Sequence, residues 1–161
     1  MYTHLFILFC AKLEDRSLIQ EGETKCGVAA TSSTAERIVE EILSSDESIL
    51  SVTVTDWRGD MLAAKSRESF RERFRVSSRV GTRYSGSLAI ATLSLVNEVK
   101  DVFGEVQAII AVHKDCKLML LPIPSYQIIV GLALERSPDK EEEARVYNIT
   151  NRIQRLMVDT L

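Results

Sequence analysis

The stretch that most constrains the fold is residues 82–135, where one long apolar helix precedes three short apolar strands. Placed at 100° per residue, the apolar side chains of residues 84–103, with the exception of Ile90, fill an arc of roughly 200°. A helix that lies on a single sheet needs an apolar stripe of only about 100° or a little more. The sequence therefore predicts a second partner for this helix. The arc consists of Leu88, Ala89, Ala91, Leu93, Leu95, Val96, Val99, Val102 and Phe103.

The three segments after this helix, residues 106–113, 117–121 and 126–135, are apolar almost without alternation. Strands with cover on one face alternate, whereas near-continuous Val, Ile and Leu indicate cover on both faces. The links between the segments are short, and parallel pairing would need a long crossover. The pattern predicts an antiparallel meander with helices on both sides.

The flanking segments complete one α+β domain over residues 33–158. A capping box, Ser33-x-x-Glu36, predicts a helix start at Ser33. Residues 49–55 and 61–65 read as a hairpin, because Asp56 and Gly59 supply turn chemistry between them. Residues 66–81 read as a short amphipathic helix plus a loop. Ser at 137, Pro at 138 and Asp at 139 predict the start of a last helix.

Residues 1–32 are expected to be a poorly ordered extension. Within them LFILFC, at positions 5–10, is the one candidate for a targeting segment. It is much shorter than the roughly 20 apolar residues of a membrane span, and it precedes no small-residue cleavage site. We expect it to be an extra strand or a loose tail.

Composition narrows the class of protein further. The chain has 161 residues, 45% hydrophobic and 27% charged, with a net charge of −3, as expected for one soluble globular domain. A net negative charge argues against nucleic-acid binding, which favours a basic surface. Three cysteines without C-x-x-C spacing predict neither a disulfide framework nor a zinc site, and they favour the reducing cytoplasm.

Motifs for phosphate-binding loops, dinucleotide binding, zinc proteases and serine hydrolases are absent from the sequence. We therefore expect no catalytic residue, no metal site and no cofactor. The one cluster to weigh is His113-Lys114-Asp115-Cys116, which contains a thiol beside a base. All four residues lie in a tight hairpin, so turn residues with an ordinary thiol are favoured over a hydrolase, the weaker alternative.

Two surface features have both a plain and a functional interpretation. The segment 66–81 carries five arginines, which could form a docking surface for an acidic partner or an anionic headgroup. The plainer interpretation, a solvated face partly neutralised by Glu68 and Glu72, is favoured. The arginines are Arg67, Arg71, Arg73, Arg75 and Arg79.

Trp57 is either folded back on the sheet edge, as we expect, or an exposed contact residue.

The elements in this order resemble the roadblock / dynein light chain family, most closely its stand-alone archaeal and bacterial members. Three segments carry the resemblance: SVTVTDWRGDMLAAKS (51–66), GSLAIATLSLVNEVKDVF (86–103) and QAIIAVHKDCKLMLLPIPSYQIIVGLALE (107–135). The resemblance implies three α/β/α layers around a five-stranded antiparallel sheet of order 2-1-5-4-3. The long helix would cover one face and the two terminal helices the other, an architecture also close to that of profilin.

The same resemblance implies a homodimer in which the long helices lie side by side and the third strands pair edge to edge. Such pairing would protect an uncharged strand edge that is otherwise an aggregation hazard. Two edges of the helix are available for the contact, Ala91–Leu95–Val102 and Ala89–Leu93–Val96. The expected interface residues are Ala89, Ala91, Leu93, Leu95, Val96, Val106, Ala108 and Ile110.

By this resemblance the protein is no enzyme but a scaffold or regulator that binds a small Ras-like GTPase or a larger complex. The arginines of segment 66–81 would then face the GTPase. Peripheral association with a membrane stays open, although no transmembrane segment is expected. The competing class is a small-molecule or peptide sensor of PAS or profilin type, which requires a cavity lined by polar groups. Only Gln107 and Gln127 interrupt the apolar runs of the meander.

Overall fold

The computed structural model describes residues 4–8, 31–74, 78–136 and 142–158. Six strands and four α-helices follow one another along these residues. They are β1 (His4–Leu8), α1 (Ser32–Ser45), β2 (Ile49–Asp56), β3 (Met61–Ser66), α2 (Glu68–Phe74), α3 (Ser78–Phe103), β4 (Ala108–Val112), β5 (Cys116–Ile123), β6 (Ile128–Glu135) and α4 (Glu142–Val158).

All six strands form one antiparallel sheet in the order β1-β4-β5-β6-β2-β3. The five strands that the sequence predicts are β2 to β6, and their order, 2-1-5-4-3 in the predicted numbering, is confirmed. β1 is a sixth strand, so LFILFC contributes the extra strand that was one of its two expected forms.

The position of β1 corrects one expectation. The edge of β4 was expected to pair with a second copy of the chain. In the structure β1 pairs with that edge instead, with His4 opposite Val112 and Leu8 opposite Ala108. The poorly ordered lead-in predicted for the rest of residues 1–32 falls mostly on residues 9–30, which lie outside the described residues.

The three predicted layers are present. α3 lies on one face of the sheet, where Ala89 packs with a cluster that includes Ile109 and Ile129. α1 and α4 cover the other face, and their buried side chains join a larger cluster with the sheet. In that cluster Ile38 of α1 and Ile153 of α4 are completely buried. Strands β5 and β6 contribute to both clusters, which explains their unbroken apolar sequence.

Two helix starts differ from the prediction. α1 begins at Ser32 because Thr31, rather than Ser33, is the N-cap: its Oγ1 accepts a hydrogen bond from the amide of Thr34 at 3.4 Å. α3 begins at Ser78, six residues before the predicted start at Tyr84. The sequence argument had assigned Gly81 to a loop, and helix propensity is only a weak guide when the rest of the helix packs well. The predicted N-cap of the last helix, at position 137, lies outside the described residues.

β5 also runs farther than the predicted segment 117–121, through Pro122 to Ile123. The ladder with β4 extends only to Leu120, which is opposite Ile109, so the missing N–H of Pro122 interrupts no pairing on that side. Pro124 begins a short 3-10 turn that leads to Gln127 and β6. Among the described residues, no helix is long and apolar enough to cross a membrane.

Candidate protein-interaction surface

An apolar stripe runs along one flank of α3, beside the part of the helix that packs on the sheet. Its members recur at intervals of three or four residues, so they share one side of the helix. Val102 is 72% exposed, and Ala91 is also exposed, while the other members are half-buried against the sheet. We call this set the α3 stripe; it consists of Leu88, Ala91, Leu95, Val99 and Val102.

The rotation of α3 on the sheet distinguishes the two helix edges that the sequence left open. Ala89 is 1% exposed, and Leu93 and Val96 pack against the cluster beneath the helix. Those three residues therefore face the sheet of their own chain. On the other edge, Ala91 and Val102 are exposed, whereas Leu95 is half-buried and packs against the same cluster.

The expected interface residues near β4 are all buried. Val106 lies in the cluster under α3, whereas Ala108 and Ile110 belong to the larger cluster on the opposite face of the sheet. Ile110 is 1% exposed. Any contact that another chain makes with β4 would therefore involve the backbone of its edge, which β1 already occupies.

Arg67 has a structural position between β3 and α2. Its Nε donates to the carbonyl oxygen of Ile49 at 2.8 Å, and its Nη2 donates to those of Leu43 at 2.7 Å and Asp46 at 3.3 Å. Carbonyl groups at a helix end lack partners within the helix, and this guanidinium supplies one for Leu43. The side chain of Arg67 is thus directed into the protein, away from the surface that α2 presents.

Arg71 and Arg73 are the arginines of segment 66–81 whose side chains the structure places on the surface. Arg71 pairs with Glu68 at 3.2 Å, and Arg73 lies 3.9 Å from Glu135 and 5.6 Å from the ring centre of Phe74. Both arginine side chains are about half exposed. Arg75 lies outside the described residues, as does the side chain of Arg79.

The first hairpin packs its turn against the start of α3. The carboxylate Oδ1 of Asp56 accepts hydrogen bonds from the amides of Arg58 and Asp60, which confirms the predicted turn chemistry. Gly59, with φ of +88°, lies against Gly86 and Ile90. Trp57 in the same turn is 38% exposed, and its amide donates to the carbonyl oxygen of Gln127. Trp57 is therefore at the surface of the β2–β3 turn.

The hairpin between β4 and β5 holds the one cluster that the sequence offered for catalysis. The amide of His113 donates to the carbonyl oxygen of Cys116 at 2.9 Å, which closes a tight turn. Burial raises the pKa of the Cys116 thiol, the Asp115 carboxylate raises it further, and Arg73 opposes them. A raised pKa lowers the thiolate fraction, so this thiol is poorly suited to nucleophilic attack. The described residues include no group of three or more His, Cys, Asp or Glu that could hold a metal ion.

A groove of about 590 Å³ lies on the outer surface of α1 and α4. It is lined mainly by polar side chains of α4 together with Glu41 of α1. The sensor alternative requires a polar cavity against the sheet, whereas this groove lies on the solvent side of the helices. Its lining residues are Glu41, Tyr147, Asn148, Asn151, Arg152, Arg155 and Leu156.

The sheet order, the long helix on one face and the paired terminal helices on the other define the class: this is a roadblock fold. Solved structures with this fold match most of the chain. A Roadblock/LC7 domain from Streptomyces avermitilis has a TM-score of 0.58 at 8% identity, covering 78% of this chain and 96% of its own. The gliding protein MglB from Thermus thermophilus has a TM-score of 0.54 at 13% identity, covering 80% and 89%.

A structure described as MglB with a tetrameric arrangement has a TM-score of 0.59 at 14% identity and covers 83% of this chain and 97% of its own. At sequence identities of 8%, 13% and 14%, the structural similarity establishes that the chain has the roadblock fold. No family model and no curated protein matches the sequence.

The sequence argument placed Leu88 and Val99 in the apolar arc but assigned them to neither edge of the helix. The structure places them half-buried on the same flank as Ala91 and Leu95. The role of Arg67 had no signal, because nothing in a run of arginines marks the one that turns inward.

Proposed function

We propose that the protein is a non-catalytic, homodimeric scaffold that binds and regulates a small Ras-like GTPase. The observation that carries the proposal is the α3 stripe. Along this row Ala91 and Val102 are exposed and Leu88, Leu95 and Val99 are only partly covered by the sheet, so a partner laid on the stripe would cover the remaining apolar surface. A second copy of α3 is a suitable partner, because one stripe laid against its symmetry mate is self-complementary.

The self-association that we propose differs from the dimer implied by the family resemblance. It uses the α3 stripe alone, because β1 occupies the β4 edge. Ala91 provides a small side chain near the N-terminal end of the stripe, which would let two helices approach closely. Val102 provides exposed apolar surface at its end.

Charge substitution on the stripe tests the proposed dimer. The double variant Ala91→Glu/Val102→Glu places like charges toward the two ends of the contact, and we expect the dimer to dissociate at least tenfold more readily. Sedimentation equilibrium measures this dissociation constant. Ser94→Glu/Asn97→Glu is the matched control, because both residues are exposed on α3 outside the stripe. A monomeric full chain at high concentration, or equal effects of the two double variants, would contradict the proposal.

The GTPase part of the proposal is supported by the resemblance to the roadblock family, whose members bind such GTPases. Within this chain the candidate contact is the exposed face of α2, where Arg71 and Arg73 extend into solvent. An acidic surface on the GTPase would suit these two charges. We also propose a cytoplasmic location, consistent with cysteines that form no recognisable disulfide framework.

Binding to purified small Ras-like GTPases from the same organism, loaded with GDP or a non-hydrolysable GTP analogue, tests this part. Titration calorimetry should give binding that weakens at least fivefold in Arg71→Ala/Arg73→Ala. Arg152→Ala/Arg155→Ala removes the same charge from α4 and should bind normally. Equal binding by all three proteins would exclude α2 as the contact. Absence of binding to every GTPase tested would refute the GTPase role.

A further inference from the structure

We propose that β1 is a removable cover for the edge of β4, and that the occupant it excludes is β4 of a second copy of this chain. The proposal rests on the self-association proposed above and adds to it a second contact, through the edge of β4, which β1 blocks while it is paired there. Three observations support it: the register of β1, the composition of β4 and the position of β1 in the sheet.

The register shows that β1 lies where a symmetry-related β4 would lie. β1 is antiparallel to β4, and its five residues pair with all five residues of β4. The central pair is Phe6 and Ile110. A second β4, related by a two-fold axis through Ile110, would also be antiparallel and five residues long, with its own Ile110 at the centre. β1 therefore has the direction, length and centre of the strand that it would exclude.

The composition of β4 leaves its edge dependent on that cover. The strand reads Ala-Ile-Ile-Ala-Val and carries no charged residue and no proline. Charges, prolines and bulges are the usual protections of an exposed strand edge. The ladder from β4 to β5 on the other side is complete over Ile109 to Val112, so the outer edge of β4 can pair with another strand. Without β1 that edge would be open, uncharged and self-complementary.

The position of β1 makes its release simple in structural terms. It is the terminal strand of the sheet, and among the described strands β4 is its one neighbour. The other five strands keep their neighbours when it leaves.

Two variants test the proposal. The first lacks residues 1–8. The second locks β1 in place through Leu5→Cys/Ala111→Cys, a directly opposed pair, after Cys10→Ser, Cys26→Ser and Cys116→Ala. Opposed residues of antiparallel strands have Cα atoms about 4.5–5.5 Å apart, which a disulfide can bridge.

We expect removal of residues 1–8 to lower the dissociation constant of self-association at least tenfold, with a discrete oligomer in sedimentation velocity. The amides of β4 should be protected from hydrogen exchange above that constant and exposed below it. In the locked variant, oxidation should slow exchange at the β4 amides at least tenfold relative to the reduced form. An unchanged dissociation constant, a polydisperse aggregate or equal exchange in the two redox forms would overturn the proposal.

Comparison with Ala91→Glu/Val102→Glu separates this proposal from the proposed dimer. If the α3 variant dissociates and removal of residues 1–8 changes nothing, the dimer through the α3 stripe is supported and the proposed role of β1 is refuted. If removal of residues 1–8 tightens association and the α3 variant behaves as the full chain does, the contact is the edge of β4 and the proposed α3 interface is refuted.

Discussion

Gly59 and Gly86 meet backbone to backbone, at the point where the β2–β3 turn rests on α3. A Cβ atom on Gly86 would lie 2.6 Å from the carbonyl oxygen of Gly59, and one on Gly59 would lie 3.0 Å from that of Gly86. A separation of 2.6 Å is too short for a carbon atom against a backbone oxygen. The first hairpin and the long helix therefore depend on two residues without side chains for their close approach.

This contact reverses the usual effect of a glycine substitution in a helix. Replacing a helical glycine by alanine ordinarily stabilises a protein by about 0.5–1 kcal/mol. We expect Gly86→Ala to destabilise instead, by about 1–3 kcal/mol, because the turn must shift away from α3. Urea unfolding measures the change. Ser94→Ala, an exposed position of the same helix, serves as the control, and stabilisation by Gly86→Ala would contradict the prediction.

Arg67 should be the arginine of segment 66–81 on which stability depends most. It donates to three backbone carbonyl groups around the end of α1 and the start of β2. Hydrogen bonds of charged groups contribute about 1.5–3 kcal/mol each, and losses at one residue are not additive. We expect Arg67→Met to lower the free energy of unfolding by about 2–4 kcal/mol. Lysine should restore little of it, because it lacks the guanidinium fork.

The comparison for Arg67 is Arg71→Met, since Arg71 makes an exposed ion pair with Glu68. Exposed pairs contribute about 0–1 kcal/mol, so this change should be small. Equal losses in the two variants, measured by urea unfolding, would show that the bonds of Arg67 do not support the fold.

Asp46 should give the protein an acid-sensitive component of stability. Burial by itself would raise the pKa of this carboxyl group, but hydrogen bonds from the hydroxyl and amide of Ser48, with Arg145 and Arg67 nearby, hold the pKa below its ordinary value. A carboxylate with a lowered folded-state pKa stabilises the protein above the unfolded-state pKa of about 3.9. This contribution is lost as the pH falls through the folded-state value.

We therefore expect Asp46→Asn to lower stability at pH 7 and to flatten its decline at acidic pH. Thermal unfolding between pH 3 and pH 7 measures both effects. In Glu40 the hydrogen bond and charge of Lys65 also lower the pKa, but that pair is solvated. Glu40→Gln should consequently leave the decline in stability at acidic pH close to that of the unmodified chain. If stability declined as steeply at acidic pH in Asp46→Asn as in the unmodified chain, Asp46 would not be the source of the acid-sensitive component.

Cys116 should react slowly with thiol reagents. Its side chain is buried in β5, and burial together with Asp115 raises its pKa. In a chain with Cys10→Ser and Cys26→Ser, we expect iodoacetamide to label Cys116 at least tenfold more slowly at pH 7.5 than in the urea-unfolded protein. If Cys116 were labelled as fast in the folded protein as in the urea-unfolded protein, the hydrolase alternative would have to be considered again.

Local patterns predicted the elements whose structure depends on neighbouring residues. The β2–β3 turn follows from Asp56 and Gly59, and the meander follows from unbroken apolar runs joined by short links. Periodicity likewise predicted that α3 has more apolar surface than its own sheet covers. It could not predict the rotation of α3 on the sheet, which depends on contacts such as that between Gly59 and Gly86.

Other features depend on residues far apart in sequence. The apolar run at positions 5–8 is compatible with a strand, but nothing local indicates that it pairs with β4. Arg67 differs from Arg71 and Arg73 only because the carbonyl groups of Leu43 and Ile49 lie within its reach. α1 begins one residue before its predicted start. Thr31 and Ser33 both carry the hydroxyl group that an N-cap needs, and the sequence does not show that Thr31 is the one used.

The pairing of β1 with β4 also imposes an order on biosynthesis. His4 is opposite Val112, so more than a hundred residues must follow it before its partner exists. At roughly 5–20 residues per second, the ribosome leaves this apolar segment unpaired for about 5–20 seconds. The nascent chain must keep the segment from associating with other molecules during that interval. The sheet therefore acquires the first strand of the sequence only after β2, β3 and β4 have been synthesised.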